Sequence, residues 1–315
     1  MCVVMAAGFV ACRSPRVFEE SFLVMGTVCT VKVLAEGPSE ANIALCAIRQ
    51  TLRATETAFS AHDPAGRLAV INRQAAAGGA DLTAEEAWLL ARAVACSDMT
   101  GGAFDVTFRP LWELWKKCER ENRLPSDDEV HAARERVDYR ALVVSPDGRN
   151  LRFSRAGISL DLGGIAKGAA LLACRDVANA PGIGGLLVNL GGDILALGRE
   201  REGGWMVGIQ DPDNPYRIAV RFKALNKLAL TSGVYQRFVT IHGRRYHHIL
   251  DANTGFPAEG LLSVTIVLDP DRERYIPSLV FFLMGPERAE SFLAAHPEYG
   301  YYIVTAEGGV RSRLP

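Results

Sequence analysis

The chain has 315 residues, 49% of them hydrophobic and 23% charged, a balance that excludes a disordered, fibrous or multi-spanning protein and leaves room for a large core. With 35 basic against 36 acidic side chains the formal net charge is −1, and no long basic run occurs, so the electrostatic footprint of nucleic-acid binding is missing. The seven cysteines contain no C-x-x-C pair, which argues against a zinc site or redox dithiol and favours small buried hydrophobes over a disulfide framework.

In chain order, Met1 to Ala11 is apolar and ends Phe9-Val10-Ala11-Cys12, which resembles a bacterial lipoprotein cleavage site with the acylated residue at Cys12, without a basic n-region. Two readings stay open. One is a lipoprotein signal and tether over residues 1–21, putting a single domain over residues 22–315 at the periplasmic face of the inner membrane. The other is an ordinary N-terminus, with a cytoplasmic location also open. Phe22 to Val33 reads as a strand broken near Gly26. A helix follows, capped by Ser39, with Leu45, Ile48, Leu52, Thr55 and Phe59 at helical spacing. Ser60 to Asn72 is polar and carries Pro64 and Gly66, so it reads as a loop and turn. Thr83 and Glu86 form a capping-box pattern for a helix that Gly101-Gly102 end, and Ser126 with Glu129 forms another. Trp112, Leu114 and Trp115 belong to a helical insert, where tryptophans are more often core than cofactor contacts.

Beyond Tyr139 strands are expected at Ala141 to Val144, Leu151 to Phe153 and Ile158 to Leu160, then a helix from Ile165 to Ala178. Further strands are expected at Gly185 to Asn189, Trp205 to Ile209, Arg217 to Phe222, Leu228 to Thr231, His247 to Leu250, Leu262 to Leu268 and Gly300 to Val304. Helices are expected at Pro277 to Met284 and Pro286 to Ala295. The mixture has no regular βαβ alternation, so the predicted class is α+β, a mixed sheet with packed helices and a helical subregion.

Four segments run from apolar residues into small or acidic ones: Gly101 to Thr107, Leu160 to Gly168, Val188 to Asp193, and Thr231 to Tyr235. In the second, the pair Gly163-Gly164 opening a helix lets backbone N–H groups approach a phosphate, and Lys167 adds a positive charge. Neither the P-loop nor the dinucleotide-fold spacing is present. Each glycine pair taken alone is better explained by strained backbone than by a ligand, and it is the four together that point to a site. A fifth segment runs from Tyr246 to Pro257. Strand alternation sends His247 and His248 to opposite faces, so they cannot clamp a metal together, and the polar turn after them favours acid–base use of one imidazole.

The ordered series Met25-Gly26-Thr27, Gly102 to Asp105, Asp161 to Gly168, Asn189 to Asp193, Thr231 to Tyr235, and His248-Ile249 through Thr254-Gly255-Phe256-Pro257 resembles the ApbE-like FAD:protein FMN transferases along nearly the whole chain past Phe22. That resemblance implies FAD as ligand or substrate, and Mg²⁺-assisted transfer of its FMN half to a threonine of a target flavoprotein with release of AMP. Hydrolysis of FAD to FMN and AMP is the variant reaction. It implies flavin and ribityl contacts from Met25, Ala103, Phe104, Asp105 and Asp161, with Lys167 and Ile249 nearby and His62 beside the nucleotide. His248 would stand closest to the chemistry.

The resemblance also implies Mg²⁺ held by a carbonyl near the glycine turn, here Gly164, and by an Asp and a Thr four residues apart. At those two positions stand Tyr275 and Leu279. A leucine cannot serve a cation that demands hard oxygen ligands, and a neutral phenol serves it poorly. Ser278 and the run Asp269, Asp271 and Glu273 are the available substitutes. Ala169 and Leu172 also stand where the family carries larger or acidic residues. A transferase and a carrier that holds FAD without turning it over are both compatible with this pattern.

Overall fold

The computed structural model describes residues 14–61, 63–199, 203–235 and 237–315. Cys12, with the rest of the N-terminal segment expected as a signal, and His62 lie outside the described residues.

Strands β1 (Arg16–Val24) and β2 (Thr27–Ala35) form an antiparallel hairpin, so the break expected at Gly26 is a two-residue turn. Met25 and Gly26 take φ of 52° and 69°, the paired left-handed conformation that suits the right-handed twist of a hairpin. A methionine seldom occupies that region, and here Glu56 holds it by accepting from the Met25 N–H at 2.6 Å. The boundary expected at residue 21 falls inside β1, because Arg16 to Ser21 pair with Ala35 to Thr30.

Helix α1 (Pro38–Phe59) starts two residues earlier than expected, with Pro38 in its first turn and Gly37, not Ser39, at the cap. Helix α2 (Arg67–Ala76) corrects the loop expected through Asn72. After the short β3 (Ala80–Asp81) come α3 (Ala84–Thr100), α4 (Arg109–Arg120) and α5 (Asp127–Arg134). Both predicted capping boxes form, and Gly101 ends α3 at φ 65°, where only glycine is unstrained.

Strand β5 (Asn150–Phe153) pairs with β3 on one side and β4 (Leu142–Val144) on the other in a small sheet. The strand expected at Ile158 to Leu160 does not form. The Asn72 amide instead bonds both backbone groups of Leu160, at 2.7 and 3.1 Å, and so takes the place of a neighbouring strand. Helix α6 (Gly163–Ala173) stops short of Ala178 and tightens into a 3₁₀ turn over Arg175–Asn179.

The remaining strands are β6 (Ile183–Leu190), β7 (Asp193–Gly198), β8 (Trp205–Gln210), β9 (Ile218–Ala224), β10 (Lys227–Gly233), β11 (Phe238–Ile241), β12 (Arg244–His247), β13 (Leu261–Leu268), β14 (Gly300–Thr305) and β15 (Val310–Arg313). Helices α7 (Ser278–Met284) and α8 (Pro286–Ala295) lie between β13 and β14. The expected strand from His247 to Leu250 is corrected: β12 ends at His247, and beyond it only a single bridge joins Leu250 to Pro257.

An eight-stranded antiparallel sheet, ordered β1-β2-β6-β7-β10-β13-β14-β15, carries the architecture, and the class is α+β. One face buries the main core under α1, α6, α3 and α7, with Ile48, Leu52, Leu89, Ile165, Phe281 and Phe282 fully buried. The other face is covered by the β8–β9 hairpin through Trp205, Val207 and Phe222. The helical subregion of α4 and α5 has its own cluster, in which Trp115 packs with Leu111, Val239 and Ile241. Trp115 Nε1–H also donates to the Gly255 carbonyl at 2.9 Å, fastening that subregion to the loop after His248. Of the five described cysteines, four are buried and Cys46 is exposed, and none is in a disulfide.

Candidate functional site

The strand registers bring the glycine-rich turns to one end of the sheet. Cys29 at the start of β2 pairs with Leu190 at the end of β6, and Leu190 pairs with Asp193 at the start of β7. Asp193 in turn accepts from the backbone N–H of Thr231 near the end of β10, at 2.9 Å, and Gly233 pairs with Ser263 at the start of β13. The turns 25–26, 191–192 and 234–235 therefore crowd together, and Gly191 lies so close to Thr27 that a Cβ would stand 2.5 Å from its Oγ1.

Helix α6 opens at the same end. Asp161 Oδ1 accepts from the Gly163 N–H at 2.9 Å, ordering the glycine pair, and the Asp161 N–H donates to Val106 O at 2.7 Å. Lys167 reaches back to Asp193 with Nζ 2.8 Å from Oδ2. Asp193 thus ties α6 to two strands, a role the sequence pattern marked but did not assign.

The 101–107 loop is held between this turn and the one after His248. Ala252 N–H donates to Ala103 O at 3.1 Å, and Asn253 Nδ2 donates to Gly101 O at 3.3 Å. The side chains expected to touch flavin here face inward. Phe104 packs against Gly164, and Ala103 and Ile249 are buried. The Asp105 carboxylate accepts from the Thr107 N–H and hydroxyl, both at 2.7 Å, and from the Tyr139 N–H at 2.8 Å. Burial raises its pKa, against those three bonds. These residues pack behind the sheet-end turns, whereas Met25, Asp161, Lys167 and His248 are only partly buried there. Ala61 and Asp63 line a groove of about 280 Å³ with Asn72, Arg73 and Arg109.

The two histidines have different partners, although His248 lies just beyond the end of β12. His247 Nε2–H donates to Ala258 O at 3.0 Å, and its ring meets Phe282 edge-on, a structural use. His248 is held at both ends by one carbonyl: its backbone N–H and its Nδ1 lie 3.1 and 3.0 Å from Arg237 O. A carbonyl only accepts, so Nδ1 carries the ring proton and Nε2 is left as the base. Burial pushes the His248 pKa down to about 4, helped by the charges of Arg237 and Lys167 and opposed by the bond to Arg237 O. At neutral pH this imidazole is an uncharged proton acceptor.

Arg237 is the residue the sequence reading missed. It lies two positions past the Thr231 to Tyr235 segment, and nothing in its local pattern sets it apart from the chain's other arginines. Its guanidinium stands beside the β1–β2 turn, where a Cβ on Gly26 would be 3.5 Å from Nη2.

The residues at the expected metal positions do not fit Mg²⁺. Tyr275 is 1% exposed and donates its hydroxyl to Ile165 O at 2.6 Å, and burial raises its pKa well above the ordinary range. Leu279 packs onto Gly164, whose Cβ would stand 2.9 Å from Leu279 Cδ2. The Gly164 carbonyl lies inside α6 and serves the helix. Ser278, the substitute ligand, is buried with its Oγ 2.9 Å from Ser232 Oγ, so its hydroxyl is already engaged. The acidic run is at the wrong end: Asp269 pairs with Lys227, the first residue of β10, while the site lies at the last. Among the described residues no cluster of three His, Cys, Asp or Glu could hold a metal. Ala169 and Leu172 are core residues.

A glycine-opened helix, two cations and an uncharged imidazole around one sheet end suit a phosphate-bearing ligand and a proton transfer, the equipment of a group-transfer enzyme. The model of the ApbE family matches residues 25–303. A protein of Treponema pallidum named FAD:protein FMN transferase is 30% identical over 334 residues, covering 99% of this chain and 91% of its own length. The ApbE protein of Thermotoga maritima superposes with a TM-score of 0.83 at 28% identity, over 94% of this chain and 97% of that one. Flavin transferase ApbE of Vibrio cholerae shares the fold, with a TM-score of 0.80 at 23% identity over 95% and 97% of the two chains. The chain belongs to the ApbE family.

Proposed function

We propose that this protein is a FAD:protein FMN transferase, binding FAD at the sheet end and passing its FMN half to a threonine of a target flavoprotein. The observation that carries this reading is the neutral His248, with Nδ1–H committed to Arg237 O and Nε2 left to accept. In the transfer, Nε2 takes the threonine hydroxyl proton as Oγ bonds to the FMN phosphorus. The bond from that phosphorus to the bridging oxygen breaks, and AMP leaves with the electron pair. The Arg237 carbonyl, already bonded to Nδ1–H, steadies the imidazolium that forms. Mg²⁺, expected by resemblance, has no ligand set at Tyr275, Leu279 and Ser278. That misfit supports a second reading, in which the chain carries FAD and turns it over slowly.

The test is incubation of the full chain with FAD and a candidate acceptor flavoprotein, reading AMP release and flavin fluorescence on the acceptor. Transfer is expected, and His248→Ala should slow it about 100-fold or more while FAD stays bound. FAD retained without AMP release favours the carrier, and a colourless protein with no affinity for FAD rules out both. We also propose, from Phe9-Val10-Ala11-Cys12 alone, that Cys12 is acylated and tethers the domain at the periplasmic face of the inner membrane.

A further inference from the structure

On the reading of the sheet end as a FAD site, we infer that this chain neutralises the diphosphate of its nucleotide with Lys167 and Arg237, with no divalent cation between protein and phosphate. The positions that would supply oxygen ligands are closed by packing. A Cβ on Gly168 would meet the Tyr275 ring at 2.5 Å, and one on Gly164 would meet Leu279 at 2.9 Å, so both side chains lie directly on the glycine face of α6. Mg²⁺ would need six oxygen ligands at about 2.1 Å and usually keeps several waters among them. The Tyr275 proton is given to Ile165 O and the Ser278 hydroxyl is bonded to Ser232, which leaves only weak, sterically blocked oxygens.

A diphosphate still brings two negative charges that something must balance. Lys167 lies on α6 one turn past the glycine pair, but Asp193 at 2.8 Å offsets much of its charge. Arg237 is different. Its side chain is exposed, no carboxylate among the described residues pairs with it, and its carbonyl holds His248. The guanidinium therefore stands beside the Met25-Gly26 turn, near enough to His248 for its charge to act on that imidazole, and carries an uncompensated positive charge at the sheet end. A planar fork of N–H donors grips phosphate oxygens two at a time, which a lysine cannot do.

The experiment is calorimetric titration of FAD into the full chain in excess EDTA, in saturating Mg²⁺, and into Arg237→Ala and Arg237→Lys in EDTA. The expected Kd changes less than about twofold between EDTA and Mg²⁺. It weakens about tenfold in Arg237→Ala, with partial recovery in Arg237→Lys. An affinity that requires Mg²⁺, or an Arg237→Ala chain that binds like the original, overturns the inference and leaves the FAD site standing. Failure to bind FAD under every condition overturns the FAD site itself. Should Arg237→Ala lower the unfolding temperature, Arg237→Gln, which keeps the side chain's length, decides by the same criterion.

Discussion

His248 owes its usefulness to a backbone oxygen. Because Arg237 O takes the Nδ1 proton, Nε2 needs no further arrangement to act as a base, and burial keeps the ring uncharged far below its ordinary pKa of 6.5. The direction of the shift fixes the pH behaviour. Between 6.5 and about 4 the unfolded chain binds a proton here that the folded chain does not. The contribution of this group to stability is thus complete above 6.5 and is lost as pH falls through 4. The acid limb of kcat/KM for FAD turnover is expected near 4, not near 6.5. A limb at 6.5 would mean that the ring is not shielded as described. The imidazole and Lys167 were legible in the sequence because the motifs around them are dense. Arg237 was not, since its importance comes from a carbonyl and a guanidinium that reach the site from opposite ends of one residue. Tyr275 and Leu279 were visible as misfits, but their close packing on Gly164 and Gly168 was not.

Helix α6 illustrates how an element is set by what rests on it. Gly163-Gly164 opened it as expected, yet Gly168 has a separate reason: the Tyr275 ring occupies the space of its Cβ. Gly168→Ala would gain about 1 kcal/mol of helix propensity and lose about 1–3 kcal/mol to overpacking, so a net loss of stability is expected. In a Tyr275→Leu background the loss should shrink, and denaturant midpoints of the four chains would show it. Additive effects would mean that the ring and the helix do not touch. Elements with strong local signals were readable, above all the two capping boxes and the Gly101 stop. Helix α2 was hidden because it follows Pro64-Ala65-Gly66 and has no side-chain cap, and the false strand at Ile158 to Leu160 arose because a single amide on Asn72 does a strand's work.

At the scale of the molecule, the site and the first residue of β1 lie at opposite ends of that strand. Strand β1 begins at Arg16, paired with Ala35, and ends beside the Met25-Gly26 turn of the site. Cys12→Ser should move the protein from the membrane fraction to the soluble one with FAD binding intact; a substituted chain still found with membranes would remove the tether. No described helix is long and apolar enough to cross a membrane. The order of strands was beyond sequence reading, because β2 pairs with β6 across six intervening α-helices and three short strands, and no local pattern connects them. That pairing has a consequence for synthesis. A ribosome completes the segment Thr27 to Ala35, rich in valine and threonine, well before it reaches Leu190, so β2 waits with an open edge on which another nascent copy could add. Lys32 and Glu19, facing each other across the hairpin, put exposed charge beside that edge, the kind of feature that opposes edge-to-edge addition.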